Sequence, residues 1–190
     1  MRTHPSFLLV VLLAAMALPS PAVAETYPPA RAGWMLGFGL GGGSAATNKV
    51  GGSSDREFGG AGSFRVGYVF QPQLALGMES SSWLKTHNSA STTLDVTTAA
   101  VAFYPGAKEL ALRAGVGFGT TSASDRLNGR TFTISESGFG TLVGAAYEYR
   151  IRRTLAVSPQ VDFSWMSVTG FEVNYVNATL GLNWYFIPKP

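Results

Sequence analysis

The sequence predicts an all-β fold, an eight-stranded antiparallel transmembrane β-barrel, and three observations carry that expectation. Apolar residues recur at every second position along most of the chain. The residues between them are glycine, small or polar, as where Trp34, Leu36, Phe38 and Leu40 alternate with Met35, Gly37, Gly39 and Gly41. The connections between such segments alternate short and long. A period of two belongs to strands with chemically opposite faces. A glycine- and serine-rich face makes a poor wall for a hydrophobic core, so the greasy face is expected to meet lipid. Only helices or closed barrels satisfy their backbones there.

Eight alternating segments follow in order. The first, residues 33–44, is the alternation just quoted. The second, 62–70, ends at the turn signal Gln71-Pro72-Gln73. The third, 74–85, starts cleanly with Leu74, Leu76 and Met78, but Trp83 falls out of step. The fourth, 93–104, has the same fault: Leu94 and Val96 lie on one parity, Val101 and Phe103 on the other. A β-bulge in either segment would account for the change. Residues 105–109 form a short turn into the fifth segment, 110–122, and residues 150–154 form another between the sixth (134–149) and seventh (155–168). The eighth, 173–186, repeats the pattern, with Leu180, Leu182, Trp184 and Phe186 alternating with Thr179, Gly181, Asn183 and Tyr185.

Residues 45–61, 86–92 and 123–133 read as long loops, rich in Gly, Ser, Asn and charge; the connection at 169–172 is shorter. Short turns on one side and long loops on the other are the habit of outer-membrane barrels, whose short turns are periplasmic.

The first residues read as a processing signal. Arg2 supplies a positive start, residues 7–18 an apolar run, and Ala22-Val23-Ala24 a small-x-small cleavage site. The expected organisation is therefore a signal peptide at 1–24 and a barrel domain at 25–190. The apolar run is too short to span a membrane as a helix. There is no cysteine, which removes disulfides and thiolate chemistry. The net charge of +3 is small and its lysines and arginines are scattered, so no nucleic-acid partner is expected. With 23 glycines and only 13% charged residues, the composition suits neither a disordered chain nor an ordinary soluble domain.

Aromatics gather at strand ends. Trp34, Phe70, Tyr104, Tyr149, Trp184 and Phe186 sit beside the short turns or termini, and Trp165 lies toward the other end with Phe118. These read as membrane-interface girdles, since amphipathic rings favour the headgroup level. The inward parity includes Arg65, Glu79, Arg113, Glu148 and Asp162. In a lumen only wide enough for side chains, such charges are expected to pair and close the barrel to bulk flow.

No motif rises to an enzyme, and no cofactor or metal is expected. Gly37-x-Gly39-x-x-Gly42 copies a dinucleotide fingerprint in letters, but the glycines alternate along one strand and open no helix. His87 alone cannot build a metal site. His87-Asn88-Ser89 could pair a base with a nucleophile, yet adjacent loop residues seldom hold that geometry. Arg150, Arg152 and Arg153 flank a short turn, where they either meet lipid phosphates or keep the turn solvated.

Taken together, the Ala-Val-Ala signal, the eight strands, the stretch from Gly138-Phe139-Gly140 to Gly144-Ala145-Ala146-Tyr147-Glu148-Tyr149-Arg150 and the Leu180-x-Leu182-x-Trp184-x-Phe186 close resemble the small outer-membrane β-barrel superfamily. That group includes the OmpA transmembrane domain, OmpX and the OmpW-like proteins. The resemblance implies a monomer in a Gram-negative outer membrane, in contact with its lipids. It also implies recognition by the outer-membrane assembly machinery through the last strand, with Phe186 as the matching aromatic. The tail 187–190 departs from relatives that stop at that aromatic. No peptidoglycan-binding domain follows, so a cell-wall tether is not expected. A structural or surface-interaction role presented by the loops at 45–61 and 123–133 is the expected function, with no specific loop partner indicated. The alternatives are a narrow channel for small or apolar solutes and a lipid-modifying enzyme. A soluble lipocalin-like barrel would require far more Lys and Glu on its outer face.

Overall fold

The structure, a computed structural model, describes residues 31–49, 52–53, 55–87, 90–127 and 130–186. The signal-peptide segment lies outside the described residues. Ten ladder segments run in chain order: β1 Gly33–Lys49, β2 Gly52–Ser53, β3 Glu57–Gln71, β4 Leu74–His87, β5 Ala90–Phe103, β6 Leu110–Leu127, β7 Arg130–Tyr147, β8 Tyr149–Arg152, β9 Leu155–Val168 and β10 Phe171–Phe186. The two-residue β2 pairs only with β1, and the four-residue β8 continues the line of β7 beyond Glu148. Eight long strands remain. They run β10-β1-β3-β4-β5-β6-β7-β9, every pairing antiparallel, and β9 pairs with β10 to complete the ring. A closed ring leaves no unpaired edge within the bilayer.

The strand count matches the eight segments read from the sequence, but the strands are longer. Most of 45–61, 86–92 and 123–133 is ladder: β1 reaches Lys49, β4 and β5 meet across a two-residue gap, and β6 pairs with β7 as far as Leu127 opposite Arg130. These stretches mix Ala, Ser, Thr, Gly and charged residues with isolated apolar ones such as Phe58 and Phe132, so no sustained alternation marks them although the backbone stays extended. The connection near 169–172 is a two-residue turn, closed by Gly170 at φ +87°, a conformation that favours glycine.

The parity changes in β4 and β5 have a different cause from a bulge. Their shared register is unbroken, with Leu76 opposite Val101 and Trp83 opposite Leu94. Leu76, Val101 and Phe103 face outward, while Trp83, Leu94 and Val96 face inward and are buried. The interior itself becomes apolar at that height. The bulges that do occur adjoin two short turns, between Val69 and Gln71 and between Arg150 and Arg152.

Outside, the greasy rows point away from the axis. Leu40 is 74% exposed and Leu180 61%, with Phe64, Val116 and Val143 also exposed. On β10 the outward row from Val176 to Phe186 rises ~3.4 Å per residue and, at a tilt of ~40°, covers roughly 25 Å, the height of an outer-membrane hydrocarbon band.

Candidate functional site

The inward residues form two apolar clusters and two charged groups. Nearest the short turns, Met35, Val69, Ala75, Ala102, Tyr104, Ala111, Ala146 and Tyr185 pack together. At the opposite end Ala45, Trp83, Leu94, Val96, Leu142, Met166, Val168, Val173 and Tyr175 form a second buried cluster. So the interior, which the sequence pattern reads as wholly small and polar, is apolar at both ends. The charges lie between and beneath these clusters.

The middle tier is built by ladder register. Arg65 on β3 stands directly opposite Glu79 on β4, and its Nε lies 3.2 Å from Glu79 Oε1. Arg113 on β6 reaches across with Nη1 2.9 Å from Glu79 Oε2 and Nη2 2.5 Å from Asp162 Oδ1 on β9. Arg65 Nη2 donates to Gln160 Oε1 at 2.7 Å, and Gln160 Nε2 donates to Ser63 and Thr179. The chain of partners therefore crosses the lumen from β3 through β4, β6 and β9 to β10. Taking such charges out of water costs several kcal/mol each unless geometry and hydrogen bonds are good.

Glu148 belongs to a separate lower tier. It is fully buried, and four side chains donate to it: Arg31 Nε at 3.0 Å, Tyr185 hydroxyl at 2.6 Å, Asn183 Nδ2 at 3.1 Å and Tyr104 hydroxyl at 3.3 Å. Arg31 precedes β1, lies 4.0 Å above the Tyr104 ring and donates Nη1 to the Ala107 carbonyl. Burial works to lower the Arg31 pKa, but the Glu148 carboxylate, with Tyr185 and Tyr104, outweighs it and raises the value above the ordinary one. Among the described residues the buried charges are Arg31, Arg65 and Arg113 against Glu79, Glu148 and Asp162, which balance.

Inner-face glycines make room for these groups. A Cβ on Gly37 would stand 2.3 Å from Asn183 Oδ1, and one on Gly39 2.6 Å from Gln160 Nε2. The Gly-x-Gly letters thus mark clearance for side chains across the lumen, not a phosphate cradle. Asn177, whose triplet Asn177-Ala178-Thr179 matches a glycosylation acceptor in letters, is buried within β10 and donates to Ser81. His87 ends β4, exposed, and Asn88 and Ser89 lie outside the described residues.

Of the aromatics at strand ends, Trp34, Phe70, Tyr149 and Phe186 are exposed on the outside, and Trp165 and Trp184 are half-buried on the same outward parity. Tyr104 is a correction. It follows outward Phe103, so alternation turns it into the lumen, where it is fully buried against Glu148 and Arg31. Two outward tyrosines overlooked in the sequence extend the aromatic rows: Tyr68, between Trp34 and Phe70 at 5.5 and 5.0 Å, and Tyr147, 4.7 Å from Tyr149. Arg31, Asn183, Gln160 and Tyr185 were likewise not singled out. Parity alone could have found the last three, whereas nothing local marks Arg31.

The family described as "Outer membrane protein beta-barrel domain" matches residues 9–186. Among solved structures, the chain is similar to Ail, the attachment invasion locus protein of Yersinia pestis, with a TM-score of 0.58 at 12% identity, covering 80% of this chain and 98% of that one. The same protein in complex with the heparin analogue sucrose octasulfate gives 0.60 at 12% identity over 80% and 98%. Neisserial surface protein A gives 0.56 at 15% identity over 80% and 97%. At such identities the likeness concerns the fold. No curated protein matches the chain.

Proposed function

The chain belongs to the outer-membrane protein β-barrel family, and from that premise we propose that it is a closed-lumen barrel with a structural or surface-interaction role, not a conduit and not an enzyme. The observation that carries this reading is the cross-lumen network of Arg65, Glu79, Arg113 and Asp162, between one apolar cluster above and another below. An ion crossing that tier would have to separate buried pairs, at a cost of roughly 3–5 kcal/mol for each partner left alone.

In this reading the short turns are periplasmic, the signal peptide is cleaved after Ala24, and the barrel is a monomer in contact with outer-membrane lipids. Phe186 closes the strand that the assembly machinery recognises. The long hairpins β1–β3 and β6–β7 carry whatever interaction the protein makes at the cell surface; β6 and β7 pair with each other well past the end of the β7–β9 ladder, and Phe58, Phe132 and Ile134 stand exposed among polar neighbours there.

Planar-bilayer recording of the purified protein tests the reading. Electrical silence across the working voltage range is the expected result. Stepwise conductance that persists in wild-type protein would favour a narrow channel instead. A change in lipid A mass on expression would favour a lipid-modifying enzyme.

A further inference from the structure

We propose that the turn joining β8 to β9 is a binding site for the phosphate of an anionic phospholipid in the inner leaflet, with Arg152 and Arg153 as its ligands. The proposal rests on the barrel spanning the outer membrane with its short turns in the periplasm.

Tyr149 pairs with Val157 and Arg150 with Ala156, so Tyr149 faces outward and Arg150 inward. Simple alternation would then put Ile151 outward and Arg152 inward. The irregularity between Arg150 and Arg152 changes this: Arg152, not Ile151, stands opposite Leu155, which shares the outward parity of Val157. Ile151 is 56% exposed. The bulge thus leaves an isoleucine and an arginine together on the bilayer side, and re-aiming a side chain in this way is a recurrent use of bulges.

What lies around Arg152 has the chemistry of a lipid headgroup site. Directly up the wall toward the hydrocarbon are the paired rings of Tyr147 and Tyr149, suited to the headgroup boundary. Arg152 and Arg153 are exposed, and neither has an ion-pair partner among the described residues. The inward neighbour Arg150 fixes the turn: its Nη1 donates to the Arg153 carbonyl at 3.0 Å and its guanidinium lies 4.6 Å over the Tyr185 ring. Arg150 therefore positions, while the two exposed guanidiniums offer planar donor forks matched to phosphate oxygens. On this rim Glu109 is the one exposed acid among the described residues, set against Lys108, Arg152 and Arg153.

The molecule holds its own control. The β3–β4 turn has the same two-residue form with a bulge before it, and there Gln71 occupies the place opposite Leu74 that Arg152 occupies opposite Leu155. A glutamine is therefore compatible with this geometry, and the double variant R152Q/R153Q keeps the turn while removing both charges.

The test uses the full barrel in nanodiscs of mixed phosphatidylethanolamine and phosphatidylglycerol, with retained lipids weighed by native mass spectrometry. Wild-type protein should retain phosphatidylglycerol in preference, and each arginine removed should cut that preference about five-fold. K85Q, at the opposite end of the barrel, should leave it intact. Folding is checked on the same samples by the difference in gel mobility between unheated and boiled protein. An R152Q/R153Q barrel that is folded and equally selective overturns the site. Selectivity that excess inorganic phosphate abolishes overturns the lipid as its ligand. If the unheated and boiled forms migrate alike, the failure belongs to the barrel reading and not to the site.

Discussion

Gly144 on β7 stands directly opposite Asp162 on β9, and a Cβ on that glycine would lie 2.0 Å from Asp162 Oδ1 and 3.1 Å from Arg113 Nη2. The absent side chain is what lets the carboxylate and guanidinium meet. Gly144→Ala must therefore displace a buried ion pair, and we expect it to lower stability by about 2–4 kcal/mol. Gly62→Ala is the control, since nothing lies closer than 3.9 Å to a Cβ there. Urea midpoints in detergent should separate the two variants clearly; equal midpoints would show that the Arg113–Asp162 contact tolerates a methyl group.

Arg113 bridges Glu79 and Asp162, both buried. Arg113→Ala strips Asp162 of its cation and leaves Glu79 with Arg65 alone, and ~3–5 kcal/mol should be lost. Lys85 pairs with Glu57 at 3.0 Å where both are substantially exposed, so Lys85→Ala should cost under about 1 kcal/mol. The same unfolding experiment reads both. A comparable loss in the two would mean that water reaches the inner pair as freely as the outer one.

Arg31 meets Glu148, the Ala107 carbonyl and the face of Tyr104 at once. Lysine carries the charge but lacks the planar fork, so Arg31→Lys should recover only part of the stability lost in Arg31→Ala. The temperature at which the compact gel form disappears measures this. Full recovery by lysine would reduce the interaction to bare charge.

How much of this was legible beforehand depended on where chemistry differed between the two faces of a strand. Leu36, Phe38, Leu182 and Trp184 alternate with small or polar residues, and that contrast is enough to orient their strands. Beyond the fifth segment, stretches such as Ala123-Ser124-Asp125 carry small or polar residues at successive positions, so no contrast survives and the extended ladder is invisible. Trp83 and Leu94 misled for a related reason: they pair across β4 and β5 inside an apolar tier, where inward no longer means polar. Tyr104 was readable from Phe103 by parity, but its place beside a turn suggested an interface. Arg31 was not readable. Its partner is 117 residues away, and only closure of the ring brings the two together.

The orientation of the whole wall can be read from the four tryptophans. Trp34, Trp165 and Trp184 lie on the outward parity, whereas Trp83 is 2% exposed inside the upper cluster. Single-tryptophan variants reconstituted with brominated phospholipids measure which indoles touch acyl chains. Strong quenching of Trp34, Trp165 and Trp184 and little of Trp83 is the expected result. Quenching of Trp83 as strong as the others, or none of the three outward ones, would contradict it.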